Sequence, residues 1–132
     1  MKKSGIINTN ISKVLSYMRH TDLLCISDLG LPFPNNVDYI DISLKYGVPS
    51  FIDVLKEVYN DMKIERIILS EEIKMNNNKV HKQILDLFYD DVDIDYISHN
   101  NFKKIILDCK AVIRTGENTP YSNIILQSAC IF

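Results

Sequence analysis

Short apolar runs that alternate along the chain with stretches of helical spacing constrain this sequence more than any other feature. Strands and helices alternating in this way pack as a sheet with covering layers. Leu23 to Ser27 is almost continuously apolar and runs into Asp28-Leu29-Gly30-Leu31-Pro32, the pattern of a buried strand ending in a constrained loop. Residues 39–44 alternate as a second strand, and Ile64 to Ser70 reads as a third, buried one. Val92, Ile94 and Tyr96 alternate with Asp91, Asp93 and Asp95 in a strand with one wet face. Residues 111–114 and 121–132 read as strands around the loop Gly116-Glu117-Asn118-Thr119-Pro120.

Four amphipathic helices fall between these runs. Ile11, Val14, Leu15 and Met18 recur at helical spacing behind Asn8 and Asn10, either of which can cap a helix whose last turn carries Arg19 and His20. Gly47-Val48-Pro49-Ser50 turns the chain into a helix with Phe51, Leu55, Val58, Tyr59 and Met62 on one side. Val80, Ile84, Leu87 and Phe88 mark a third helix after the polar Asn76-Asn77-Asn78 break, and Asn100 or Asn101 can cap a fourth with Phe102, Ile105 and Ile106 inward. The order predicts one α/β domain over residues 1–132, three layers α/β/α around a mixed, largely parallel sheet. The last strand ends apolar, on Cys130-Ile131-Phe132, so a cover is expected over it, supplied by a second subunit.

Charge and motif narrow the function. Lys plus Arg number 15 against 17 Asp plus Glu, a formal net charge of -2, so no cationic surplus is available for a phosphate backbone and no nucleic-acid partner is expected. Ile6-Ile7 passes at once into Asn8, Asn10 and Ser12, unlike a signal peptide, and no apolar run approaches the ~20 residues that cross a bilayer. The expectation is a cytoplasmic protein without membrane contact, in which the sequon Asn10-Ile11-Ser12 is structural. Cys25, Cys109 and Cys130 sit among apolar neighbours, as buried free thiols do. There is no Gly-rich nucleotide loop, Walker-type lysine loop, His-Glu-x-x-His or Cys-x-x-Cys, so nucleotide, zinc-finger and zincin readings fall away.

Polar residues at the ends of apolar elements remain. His20 suits proton transfer near neutral pH, although a histidine ending a helix is also favoured by the helix dipole. Asp28 ends a buried strand, where sites of α/β proteins gather, or simply caps a turn before Leu29-Gly30. His99 and Lys103, four apart, can share one side of a helix, or be a pre-helical residue and a surface charge. Tyr121 and Asn123 begin the last strand, where alternation aims both to one face; Tyr stacks on a sugar and Asn both donates and accepts, yet packing alone also accounts for them. Glu71-Glu72 and Asp90-Asp91 read as solvated charges, and His81 as idle on a polar helix face. A metal-dependent hydrolase built on His20, Asp22, Asp28 and His99 is a weaker reading, lacking ligand spacing.

These residues lie in segments that closely resemble the D-ribose pyranase family. They are Lys3 with Gly5-Ile6-Ile7-Asn8, His20-Thr21-Asp22, Asp28 through Pro34, Ile40-Asp41-Ile42, Gly47 through Phe51, Glu71-Glu72-Ile73-Lys74, and His99 with Phe102-Lys103. Val112 through Glu117 and Pro120 through Leu126 complete the series, which spans essentially the whole chain. The related fucose mutarotases share parts of it; Thr21 and the Asp28 to Pro34 segment look like the ribose branch. Arg19 stands where the family usually has Gly, and Leu29 where it usually has Ala. The resemblance implies a cofactor-free isomerase interconverting the pyranose and furanose forms of free D-ribose. In it His20 is the proton donor, and Asp28, His99, Lys103, Tyr121, Ser122 and Asn123 hold the sugar. It further implies a homo-oligomer, typically a decamer of two pentameric rings. The sequence reading shares sites between subunits, Tyr121 and Asn123 of one chain closing a pocket made by the neighbour's His20, Asp28, His99 and Lys103. The alternative is a non-catalytic sugar-binding or regulatory subunit of a ribose uptake system.

Overall fold

The structure, a computed structural model, describes residues 1–89 and 92–132; the Asp90-Asp91 pair lies outside the described residues. Six strands form one sheet: β1 (Leu23–Ser27), β2 (Asp38–Asp41), β3 (Ile64–Ser70), β4 (Asp93–Ile97), β5 (Cys109–Arg114) and β6 (Ile124–Ser128). Their order is β2-β5-β1-β6-β3-β4. β1 pairs parallel with β5, β5 with β2, and β3 with β4, while β6 runs antiparallel between β1 and β3. The expected mixed, largely parallel sheet is therefore present.

Alternation along the strands divides the core in two. Leu24, Ile26, Ile67, Leu69, Ile113, Ile124 and Leu126 face α1 (Thr9–Tyr17), α2 (Phe51–Asp61) and α4 (Asn78–Leu87). Cys25, Ile68, Val112 and Ile125 face Phe102 of α5 (His99–Ile105) and Ile106 of the 3₁₀ turn Ile106–Asp108 that follows it. Helices thus cover both faces, and wholly buried side chains such as Phe51 and Phe102 anchor the two layers, each worth about 3–5 kcal/mol against truncation to Ala. Cys25 and Cys109 are buried free thiols and Cys130 is half-buried; burial pushes the Cys109 thiol up to about 12.

Several boundaries differ from the sequence expectation, each for a local reason. α1 begins at the Asn8 cap, whose Oδ1 accepts from Ile11 N–H at 3.0 Å, but it stops at Tyr17. Arg19 and His20 lie beyond it, because Asp22 closes a tight turn: its Oδ2 accepts from Arg19 N–H at 2.8 Å and its own N–H donates to the Arg19 carbonyl. β2 ends at Asp41, short of residue 44. Glu72 leads into an unexpected single turn, α3 (Ile73–Asn76). α5 is capped by Ser98, whose Oγ accepts from Asn101 N–H at 3.2 Å, so neither Asn100 nor Asn101 is the cap and His99 is the first helical residue. Tyr121 has a left-handed φ of 57°, which a pleated strand cannot contain, so β6 starts at Ile124.

The C-terminal strand itself is covered within its own chain. β6 is interior to the sheet, and Ile124, Ile125 and Leu126 are fully buried within their own chain; only Ile131 and Phe132 stay exposed beyond it. The neighbouring loop is pinned by Gly116, whose N–H donates to the Pro49 carbonyl at 2.8 Å and where any Cβ would collide with the Val48 carbonyl. Among the described residues, no helix is long and apolar enough to cross a membrane.

Candidate functional site

The parallel strands end together on one edge of the sheet, and antiparallel β6 begins there, so residues from three chain segments converge. Ligand sites of open α/β sheets sit at this edge. Asp28 follows β1, Asn123 precedes β6, His99 follows β4, and Tyr121 lies in the loop leading to β6.

Asp28 and Asn123 hold each other. Asp28 N–H donates to Asn123 Oδ1, and Asn123 Nδ2 donates to Asp28 Oδ2, both at 2.9 Å. Asp28 Oδ1 accepts from Gly30 and Leu31 N–H at 2.9 and 3.0 Å. The carboxylate therefore caps its turn and also belongs to the site, with Oδ2 retaining capacity for a further donor. Burial raises its pKa above the ordinary carboxylate value; hydrogen bonds from Gly30, Asn123 and Leu31 and the charge of His99 oppose this.

His99 is fixed from three sides. Its N–H is shared between both Glu72 oxygens at 3.0 Å, its ring meets Tyr121 edge-on with centroids 5.2 Å apart, and it lies nearly parallel to Phe102 at 6.3 Å. Its Nδ1 is buried and has no partner among the described residues. A buried nitrogen left unpaired is costly, and such an atom beside polar neighbours marks a place for a ligand hydroxyl or water.

The loop carrying Tyr121 is braced from below. Asn77, read as a helix break, donates through Nδ2 to Thr119 Oγ1, the Pro120 carbonyl and Ser122 Oγ at 2.8–3.0 Å. Buried Glu117 accepts from Thr119 N–H and Oγ1 and, through its other oxygen, from Phe51 N–H at the start of α2. Asp28, Leu31, His99, Tyr121 and Asn123 line a hollow of about 290 Å³, close to the lower end for small-molecule sites. An aromatic ring, a carboxylate, an amide and an unpaired imidazole nitrogen together suit a small polyhydroxy ligand. A groove of about 320 Å³ between α1 and α2, lined by Ile7, Ile11 and Val54, offers little polar chemistry.

The structure brings Asp28, His99, Tyr121 and Asn123 together within one chain, so the expected division of these residues between neighbours is corrected: the Asp28–Asn123 pair is intramolecular. Tyr121 and Asn123 meet the hollow from a loop rather than through strand alternation. Ser122 is buried, its hydroxyl engaged by Asn77 and Thr119, and it does not line the hollow. Lys103, one turn past His99 on α5, is half-buried and outside the lining, with no hydrogen bond or ion pair to it among the described residues.

His20 lies elsewhere. It precedes β1 whereas Asp28 follows it, so the five-residue strand, at about 3.3 Å per residue, separates them by roughly 16 Å. There His20 Nε2 meets Glu65 Oε2 at 3.0 Å, and Gln127 Nε2 donates to Glu65 Oε1 at 2.6 Å. Asp22 caps the preceding turn and pairs with Lys110 at 3.4 Å. The hydrolase reading fails on this geometry, since its four residues are split between opposite edges. His81 is not idle: it is buried, with Nε2 2.7 Å from Tyr96 Oη, and Lys74 Nζ lies 3.7 Å above the Tyr96 ring. Sequence reasoning missed Glu65, Gln127, Asn77 and the role of Glu72; an acidic residue near the start of a buried strand was the available signal for Glu65.

The family model described as RbsD / FucU transport protein family matches residues 1–131. The chain belongs to this family. Among its relatives, a D-ribose pyranase of Streptococcus uberis is 53% identical over 128 residues, covering 97% of each chain. A D-ribose pyranase of Streptococcus agalactiae is 50% identical over 131 residues, covering 99% of each. A solved structure of Bacillus subtilis RbsD complexed with D-ribose superposes with a TM-score of 0.97 at 45% identity over 100% of both chains.

Proposed function

We propose that this protein is a cytoplasmic D-ribose pyranase, interconverting the pyranose and furanose forms of the free sugar without cofactor or metal. The observation that carries the reading is the hollow itself, in which the unpaired Nδ1 of His99 lies beside the Asp28–Asn123 pair and the Tyr121 ring. The names of the relatives, and the ribose bound to the Bacillus subtilis protein, support the substrate.

The chemistry needs two proton movements and their reversal. A proton goes to the ring oxygen while one leaves the anomeric hydroxyl, giving the open-chain aldehyde. Attack by a different hydroxyl then closes the other ring, losing its proton as the carbonyl oxygen gains one. His20 is the group that alternates between these duties, while Asp28, His99, Tyr121 and Asn123 hold the hydroxyls and Lys103 is available to one of them. Because His20 stands on the opposite edge of the sheet, the acid belongs to a neighbouring copy. A head-to-tail contact of this kind forms a ring where its rotation closes, the geometry a pentameric ring within a decamer requires.

That same separation favours the second reading, a sugar-binding subunit with no proton transfer, since a single chain presents the hollow without the acid. Magnetisation-exchange NMR between ribose ring forms separates the two. The enzyme accelerates exchange, and His20→Ala is expected to lose about 10²–10⁴-fold while still binding ribose. Unchanged exchange rates with the wild-type protein would leave a binder.

A further inference from the structure

We infer that Glu65 is a positioning residue for the reaction, clamping the His20 ring through Nε2 so that Nδ1 is the nitrogen left to exchange protons with the sugar. The inference rests on the reading of His20 as the acid–base group. It starts from the backbone: Thr21, a β-branched residue, is held at a left-handed φ of 68°, a conformation that persists only where surrounding contacts over-determine it. Those contacts are present. Thr21 N–H donates to the Ser128 carbonyl and Ser128 N–H to the Asp22 carbonyl, each at 2.9 Å, while Asp22 takes Arg19 N–H and pairs with Lys110. The turn is thus tied to the last residue of β6.

The sheet order does the rest. β1, β6 and β3 are neighbours, so the residues at this edge stand in sequence: His20 before β1, Gln127 near the end of β6, and Glu65 near the start of β3. Glu65 spends one carboxylate oxygen on each neighbour, Oε2 on His20 Nε2 at 3.0 Å and Oε1 on Gln127 Nε2 at 2.6 Å. A carboxylate fixed at its far oxygen cannot swing away, so it selects the tautomer with hydrogen on Nε2 and the ring orientation that goes with it. The hydrogen bond from Gln127, with those of His20 and the charges of His20 and Arg66, holds the Glu65 carboxyl below its ordinary range despite partial burial, so it remains an acceptor at neutral pH. A side chain serving only stability would not need both oxygens committed to one histidine and its support.

The test uses the full-length protein with ¹⁵N-labelled histidine. In wild type the ring nitrogens of His20 are expected to show one tautomer, protonated at Nε2. In Glu65→Ala the two ¹⁵N signals are expected to move toward each other as tautomers mix, with kcat for ribose ring exchange falling roughly 10–100-fold, the cost of letting a reacting group drift by about an ångström, at little change in KM. Glu65→Gln, which keeps an accepting oxygen, should recover much of that loss. Should Glu65→Ala fold poorly, Gln127→Leu frees the far oxygen instead and should give a smaller change of the same kind. A Glu65→Ala or Gln127→Leu protein with wild-type ¹⁵N signals and kcat overturns the inference. His20→Ala separates this from the parent reading: if that variant retains wild-type exchange, the acid–base role of His20 is lost, whereas the ¹⁵N signals report the Glu65 clamp independently of rate.

Discussion

At the scale of single residues, the informative comparison is between Asp28 and Ser122. The sequence left Asp28 open between a turn cap and a site residue, and the structure has it cap the turn and line the hollow at once. One oxygen caps Gly30 and Leu31 while the other meets Asn123. Ser122 sits between two lining residues in sequence, yet the left-handed φ of Tyr121 turns its hydroxyl onto Asn77 and Thr119 instead. Adjacency in sequence is a poor guide inside a tight loop, because one such φ redirects everything after it. Asp28→Asn is therefore expected to act twice. With its oxygen kept on Gly30 and Leu31, the new amide faces the Asn123 amide donor to donor. A buried hydrogen bond is lost, at about 1–3 kcal/mol in denaturant titration. Ribose affinity and exchange rate should fall together, unlike the rate-selective loss in His20→Ala.

At the scale of elements, antiparallel β6 is decisive. A parallel strand in its place would deliver the segment ahead of it to the His20 edge; running antiparallel, β6 instead presents Asn123 to the hollow and Gln127 to Glu65. The helices contribute at their ends: Ser98 starts α5 two residues earlier than an Asn100 cap would allow, which puts His99 N–H in reach of Glu72. Packing between α4 and β4 sets a pH dependence through His81. Burial first, and then the charge of Lys74, lowers its folded pKa, while Tyr96 Oη is its hydrogen-bond partner. In the unfolded chain it titrates near ~6.5. The unfolded state therefore takes up a proton first on acidification, so the stability from neutral His81 is complete above that pH and shrinks as pH falls toward the folded value. Melting temperature should drop as the pH falls below about 6.5, and His81→Gln should flatten that part of the curve relative to wild type.

For the whole molecule, the separation of His20 from the hollow turns a question of chemistry into one of assembly. If each complete site takes its acid from one chain and its sugar-binding residues from the next, two individually inactive variants can complement each other. Mixing His20→Ala with Asn123→Ala subunits should restore part of the ring-exchange activity, because some contacts then pair an intact His20 with an intact Asn123. The division tested differs from the sequence reading, in which Asn123 and Asp28 came from different chains. Verified mixed oligomers with no recovered activity would mean that no such sharing occurs.

The sequence by itself determined the layered α/β architecture, the bounds of β1 and β3, the buried faces of the helices, and Asp28, His99, Tyr121 and Asn123 among the residues that line the hollow, though it placed Lys103 and Ser122 with them. These follow from periodicity, capping residues and a family pattern running the length of the chain, all local or one-dimensional information. Only the tertiary structure decided which of those residues meet. Whether Asn123 faces Asp28, or His20 faces Glu65, depends on strand order and on the direction of β6, and those are settled by long-range pairing between β1, β6 and β3 that leaves no periodic trace in any one segment. His81, Asn77 and Glu72 looked like solvent residues for the same reason. Each is polar on its own element, and each acquires its partner from a different element, Tyr96 of the next strand for His81 and more distant segments for Asn77 and Glu72.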